Sequence, residues 1–479
     1  MDALSNDPHG DRVCARRWLG LAISSLVIAG CLSLLLVIGR APGLDQLFTS
    51  ALFFKRCLVV HVDLALVVWF ASYLACLLFL VPGRTRPLAV TRWSGLIGAI
   101  GVGLTVLAAV VPDAEPVLSN YVPIVDHPVY LVGLAVFALG VLLAVLDARL
   151  LPANEAAEGF FPTPPAARVG IRAAALLLVV AAITFVGSVL TTPRTLPTQS
   201  YYELVAWGGG HELQTASIAG MLANWIILVS LGSGRAPVSR RAASILFALL
   251  AIPMLIGPLL AIWGTTRPPY YDAFTTLMRW GIWPVVTVML LLIVRSLRDA
   301  RRDGISLRDP NLAAFFASAA LAIVGFLLGA TIRGADTRVP AHYHASIGAV
   351  TVTCMALTWP LLERLGMGLA PGRLRSLVRW QPVLFAVGQA VFAVGFGFAG
   401  LHGSGRKTYG VEQHVRGLGE WVGLSVMVAG GVVAVAAGVL FLFAVVRAWR
   451  ARPPSTALAP LESSQGGVPW KAASIPSRG

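Results

Sequence analysis

Four histidines stand where histidine is least expected. Of the eight in the chain, His61, His211, His342 and His344 lie inside long apolar runs, where an ionisable side chain is costly and usually faces a cofactor, a pathway or another polar group. His342 and His344 are two positions apart, and at about 3.6 residues per turn such neighbours point to nearly opposite sides of a helix. A single metal cannot easily use both. Two cofactors flanking the helix can, each held by one imidazole, with His61 from another helix completing a six-coordinate iron on one side, and haem iron takes such imidazoles. An open sixth position on the second iron would then admit a small gas.

The elements that must position these residues are membrane spans. The chain has 479 residues, 57% hydrophobic and 12% charged, with a mean hydropathy of +0.78, a balance that excludes a water-soluble globule. Apolar stretches begin near Trp18, Leu58, Trp93, Pro128, Val169, Tyr202, Ala243, Thr275, Asn311, Ala341, Val383 and Leu418, which makes about twelve crossings of roughly 20 residues each. The net charge of +15 does not indicate nucleic acid, because the arginines collect in alternate loops: Arg84/Arg86/Arg92, Arg168/Arg172, Arg235/Arg240/Arg241, Arg295 to Arg308, Arg373/Arg375/Arg379 and Arg447/Arg450/Arg452. By the positive-inside rule both termini are cytoplasmic, and even-numbered helices run inward. His61, His211 and the His342/His344 pair then sit a few residues past the outer ends of the second, sixth and tenth helices. They share one depth in the outer leaflet, at about 1.5 Å per residue. The expected layout is a cytoplasmic segment 1–17, a transmembrane bundle 18–452 and a disordered tail 453–479. No strong internal repeat and no convincing broken helix is readable. The five cysteines form no Cys-x-x-Cys pair, so electron entry through a covalently bound haem must lie on another polypeptide.

The run Pro340-Ala341-His342-Tyr343-His344-Ala345-Ser346-Ile347-Gly348 resembles the His-x-His segment of helix ten in the haem–copper oxidases. His61-Val62-Asp63-Leu64-Ala65-Leu66-Val67-Val68-Trp69 is similar to helix two of their nitric-oxide-reductase relatives, and Trp207-Gly208-Gly209-Gly210-His211 resembles the helix-six motif. The resemblance implies that His61 and His344 ligate a low-spin haem, that His342 is the proximal ligand of a high-spin haem, and that His211 binds a non-haem metal. It also implies that a basic pair after helix eleven, here Arg406 and Lys407, meets the haem propionates. Arg333 and Arg338, which precede helix ten, suit the same task.

The pattern fails at the second metal. The family's two adjacent histidines near the outer end of helix seven are absent, since Trp263 to Asp272 offers no imidazole. Copper held by His211 alone would be weak. Glu212 or Asp272 would contribute oxygen, which suits iron better; alternatively the site is empty and His211 bonds a haem substituent or Glu212. Thr215 stands where oxygen-reducing members place a tyrosine, with Tyr270 and Tyr271 as other candidates. Gly208 to Gly210 either permit close helix packing or make room for a haem face. Asp63 orients the neighbours of His61 or belongs to a water path, and His127, His402 and His414 read as surface residues. The only lysines are Lys55, Lys407 and Lys471, so a lysine-lined proton channel from the inside is excluded. Consumed protons would enter from outside, past Glu203 and Glu212.

The expectation is therefore an all-α bundle of about twelve helices in the inner membrane. It would be an oxidoreductase subunit that passes electrons from cytochrome c or a cytochrome-bearing subunit, through a low-spin haem, to oxygen or nitric oxide at a high-spin haem. His342, His211 and Glu212 would be its catalytic residues. Two alternatives stay open: a membrane haem protein that binds a gas or relays electrons without a copper site, and a secondary transporter with a buried proton relay.

Overall fold

The computed structural model describes residues 8–42, 51–82, 89–111, 114–151, 159–406, 415 and 417–451. Among them twelve helices are long and apolar enough to cross a membrane: α1 (Gly10–Ile38), α2 (Leu52–Leu78), α3 (Ala89–Ala108), α4 (Pro128–Val145), α5 (Pro165–Thr191), α6 (Thr198–Ser233), α7 (Arg240–Trp263), α8 (Pro268–Arg302), α9 (Pro310–Ala330), α10 (Arg338–Arg364), α11 (Arg373–Leu401) and α12 (Leu418–Arg450). A short antiparallel hairpin, β1 (Glu115–Val117) and β2 (Ile124–Asp126), joins α3 to α4.

Successive helices pack as tight pairs because glycines let their backbones touch. A Cβ on Gly101 of α3 would lie 2.3 Å from the Phe137 amide nitrogen of α4, and one on Gly430 of α12 would lie 2.2 Å from that of Phe392 on α11. Without a hydrophobic force between helices in lipid, such close contact is the available source of packing energy. The apolar stretches face lipid on the outer helices, whereas α6 and α10 are enclosed; 78% and 83% of their most apolar windows are buried. These two central helices carry His211, His342 and His344.

The structure departs from the hydropathy reading at element boundaries. The first helix begins at Pro8, not near Trp18, so residues expected in a cytoplasmic segment belong to a helical extension. Asp11 holds it by pairing with the buried Arg149, which also pairs with Asp147. The seventh and eighth spans are interrupted: α7 carries a 3-10 stretch at Ile252–Ile256, and α8 breaks at Ile282 between Pro268–Gly281 and Trp283–Arg302. Pro253, Pro258 and Pro284 remove amide donors and clash with the preceding turn, so the helix changes geometry there. In α2 a π-helical segment, Asp63–Val68, begins two residues after His61. The tail after Ala451 and the segment holding Lys407 and His414 lie outside the described residues.

Candidate functional site

Cross-helix contacts set α2, α6 and α10 in register. Tyr73 Oη of α2 donates to the Cys354 carbonyl of α10 at 2.8 Å, twelve residues below His61 and ten below His344. Higher up, His61 is among the groups whose field acts on His344, so α2 and α10 are parallel. Asn224 Nδ2 of α6 lies 3.2 Å from Thr353 Oγ1 of α10, thirteen residues below His211 and eleven below His342. At about 1.5 Å per residue the four rings share a level to within roughly 3 Å.

Two of these imidazoles are oriented alike. His61 Nδ1 lies 2.9 Å from the Ala29 carbonyl of α1, and His342 Nδ1 lies 2.7 Å from the Gly325 carbonyl of α9. A carbonyl only accepts, so Nδ1 carries the proton and Nε2 keeps its lone pair. Anchoring one ring nitrogen on a backbone carbonyl is how proteins aim the other at a metal. Gly329 preserves the seat of His342, since a Cβ there would lie 2.8 Å from Nδ1. His344 packs on Phe392, with ring centroids 4.4 Å apart, and Gln389 faces it. All three rings are half-buried. His61 and His342, each with an Nε2 that bears no proton, fit the axial imidazoles of iron porphyrins.

His211 differs in every respect. It is 1% exposed, and both ring nitrogens are engaged: Nδ1 lies 2.6 Å from the Trp207 carbonyl and Nε2 lies 2.7 Å from Tyr121 Oη. Because Nδ1 must donate, Nε2 accepts, and the tyrosine hydroxyl is the donor. Aromatic rings enclose the pair. Trp207 and Phe274 have centroids 4.9 and 5.6 Å from His211, and Tyr271 stacks on Trp207 at 4.1 Å. The three glycines before His211 make this possible. A Cβ would meet Phe274 at 2.8 Å on Gly208, Phe185 at 2.5 Å on Gly209 and Tyr121 at 2.3 Å on Gly210. They admit aromatic rings from three sides, not a helix backbone.

Glu212 is fully buried. Thr184 donates to its Oε1 at 2.9 Å, and that oxygen fills the space a Cβ on Gly257 would need; the break in α7 brings Gly257 there. Tyr270 ties the α8 start to α6, accepting from the Gly208 amide at 3.0 Å and donating to the Leu204 carbonyl at 2.9 Å. No cluster of three histidine, cysteine or carboxylate side chains occurs among the described residues. A non-haem metal therefore does not fit at His211, whose coordinating nitrogen is occupied by the Tyr121 hydroxyl.

The basic groups divide. Arg333 is exposed and caps α9 through the Ala330 and Ile332 carbonyls. Arg338 is held by Asp336, at 2.6 Å, and by the Thr331 carbonyl, at 2.7 Å; its guanidinium pulls the Asp336 carboxyl below the ordinary range. Arg406 instead reaches inward, donating to Tyr343 Oη at 2.8 Å and to Asn120 Oδ1, while Asn120 is bound by Glu203. Arg40, overlooked in the sequence, is 4% exposed; it donates to the Arg406 carbonyl at 2.9 Å, and its charge acts on His344. Its signal was an arginine at the outer end of the first helix, outside the alternate loops where most arginines collect. Tyr121 carried none, because only the fold brings it to α6. Asp63 accepts from Tyr130 of α4. His127 caps α4 by accepting from the Val129 amide, and His402 is exposed at the end of α11.

Residues 13–434 match the family described as cytochrome c and quinol oxidase polypeptide I, and the chain belongs to that family of haem-bearing respiratory oxidoreductase subunits. An uncharacterised protein of Aquifex aeolicus is 27% identical over 373 residues, covering 77% of this chain and 89% of the relative. An uncharacterised protein of Rickettsia prowazekii is 23% identical over 509 residues, covering 92% and 96%. The fold superposes on a haem–copper terminal oxidase, determined as a dimer by cryo-electron microscopy, with a TM-score of 0.71 at 17% identity over 94% of this chain and 84% of that one.

Proposed function

We propose that this chain is the two-haem subunit of a respiratory oxidoreductase, with His61 and His344 on a low-spin haem and His342 on a high-spin haem where oxygen or nitric oxide is reduced. The observation that carries this reading is the matched anchoring of His61 and His342 through Nδ1 on carbonyls of neighbouring helices, which leaves Nε2 of each without a proton and able to coordinate. Bound haem would supply one-electron transfer at one iron and gas ligation at the other. The protein's own part is to orient the imidazoles, keep the bundle dry and meet the carboxylates of the porphyrins. Arg40 and Arg406 suit those carboxylates, since guanidinium–carboxylate bonds are among the strongest a protein makes. The histidine level then lies toward the outer face of an inner membrane, with both termini cytoplasmic. Electrons arrive from cytochrome c or a cytochrome-bearing subunit.

The test is the absorption spectrum and pyridine haemochromogen count of the purified chain. Two haems per chain, one of them binding carbon monoxide when reduced, is the expected result; a colourless protein refutes the reading and revives the transporter. The pair Tyr121–His211 favours a second reading, in which the high-spin haem binds a gas or relays electrons without reducing it. Turnover with oxygen or nitric oxide in the presence of an electron donor separates the two.

A further inference from the structure

We infer that this chain carries no second metal beside its haems, and that a hydrogen-bonded tyrosine, Tyr121, takes that metal's place on His211. The inference rests on the family position above, which is what makes a metal at His211 the expectation. An imidazole coordinates through the nitrogen that bears no proton, and for His211 that nitrogen is Nε2, because Nδ1 is committed to the Trp207 carbonyl. Tyr121 Oη stands 2.7 Å from it, where a coordinated ion would have to sit. Because Nε2 bears no proton, the Tyr121 hydroxyl is the donor in this bond and is therefore a neutral phenol.

The tyrosine is built into this position. Tyr121 is the only non-glycine with positive φ among the described residues, at 64°. It sits in the turn between β1 and β2, whose register is set by Glu115 facing Asp126 and Val117 facing Ile124. Within that turn Ser119 bonds the Val122 carbonyl at 2.6 Å, and the Asn120 amide donates to Glu203 at 2.8 Å. On the receiving side Gly210 leaves the space the ring fills. A soft donor nearby, Met278 Sδ, lies 3.3 Å from the same hydroxyl, so the phenol touches both atoms that a copper ion would seek. A haem-bound gas would then meet a phenol–imidazole pair with no redox capacity of a second metal.

Total iron, copper, zinc and manganese, measured by mass spectrometry on protein purified from metal-supplemented cells, test this directly. The expected result is iron equal to the haem count and every other metal below a tenth of an equivalent. One equivalent of non-haem metal that disappears in His211→Ala overturns the inference even if both haems are present. A haem-free protein would defeat the proposed function while leaving this metal count decisive. The hydrogen bond has its own readout in the solid-state 15N spectrum of histidine-labelled protein. Tyr121→Phe is expected to move the one resonance that His211→Gln removes, with haem content unchanged. An unmoved resonance overturns the pairing.

Discussion

His344 and Gly210 show how much rests on single positions. His344→Ala removes one axial imidazole of the proposed low-spin haem, and the expected outcome is loss of the six-coordinate spectrum while a carbon-monoxide-binding haem remains. Optical and electron paramagnetic resonance spectra check this, and loss of neither haem would contradict the assignment. Gly210→Ala forces a methyl into the Tyr121 ring, 2.3 Å from its Cβ. Overpacking of this kind costs about 1–3 kcal/mol, so the melting temperature in detergent should fall and the Tyr121–His211 bond should weaken. Gly438→Ala is the control, because nothing lies within 4 Å of a Cβ there, and the better helix propensity of alanine should leave stability unchanged or improved by up to about 1 kcal/mol.

At the scale of elements, polar groups hold helices where apolar packing alone would let them slide. Arg149 pairs with Asp11 of α1 and with Asp147, its own side chain 1% exposed. Arg149→Leu would remove the buried guanidinium that pairs with both carboxylates, and breaking such a pair costs about 3–5 kcal/mol; thermal unfolding should show it, with Asp11→Asn milder. At the other end Asp336 bridges to Gly405 and binds Arg338, linking the loop before α10 to the loop after α11. Since the folded state depresses the Asp336 carboxyl, its contribution is present above the unfolded value near 3.8 and disappears as pH falls through the folded one. Amide protection in these two loops, taken relative to the intrinsic exchange rate at each pH, should therefore be constant from neutral pH down to about pH 5 and fall only in stronger acid, and Asp336→Asn should abolish that fall.

Over the whole molecule, twelve helices among the described residues are long and apolar enough to cross a membrane, and crossings in alternating direction would put both ends of the chain on one side. Reporter fusions at either end of the chain should both report the cytoplasm, and a reporter in the β1–β2 turn should report the opposite side. A split result would overturn the orientation while leaving the haem reading intact.

Hydropathy, arginine placement and the spacing of four histidines determined the fold class, the number of spans and the level of the candidate site, because each depends on residues close in sequence and on the bilayer's fixed thickness. What surrounds each imidazole was not legible. The carbonyls of Ala29 and Gly325 and the phenol of Tyr121 reach their histidines across 32, 17 and 90 positions of chain. Only tertiary packing decides such partners. The same reason explains the triple glycine before His211: its sequence marks close approach, but which rings approach depends on how α5, α8 and the hairpin turn converge on α6.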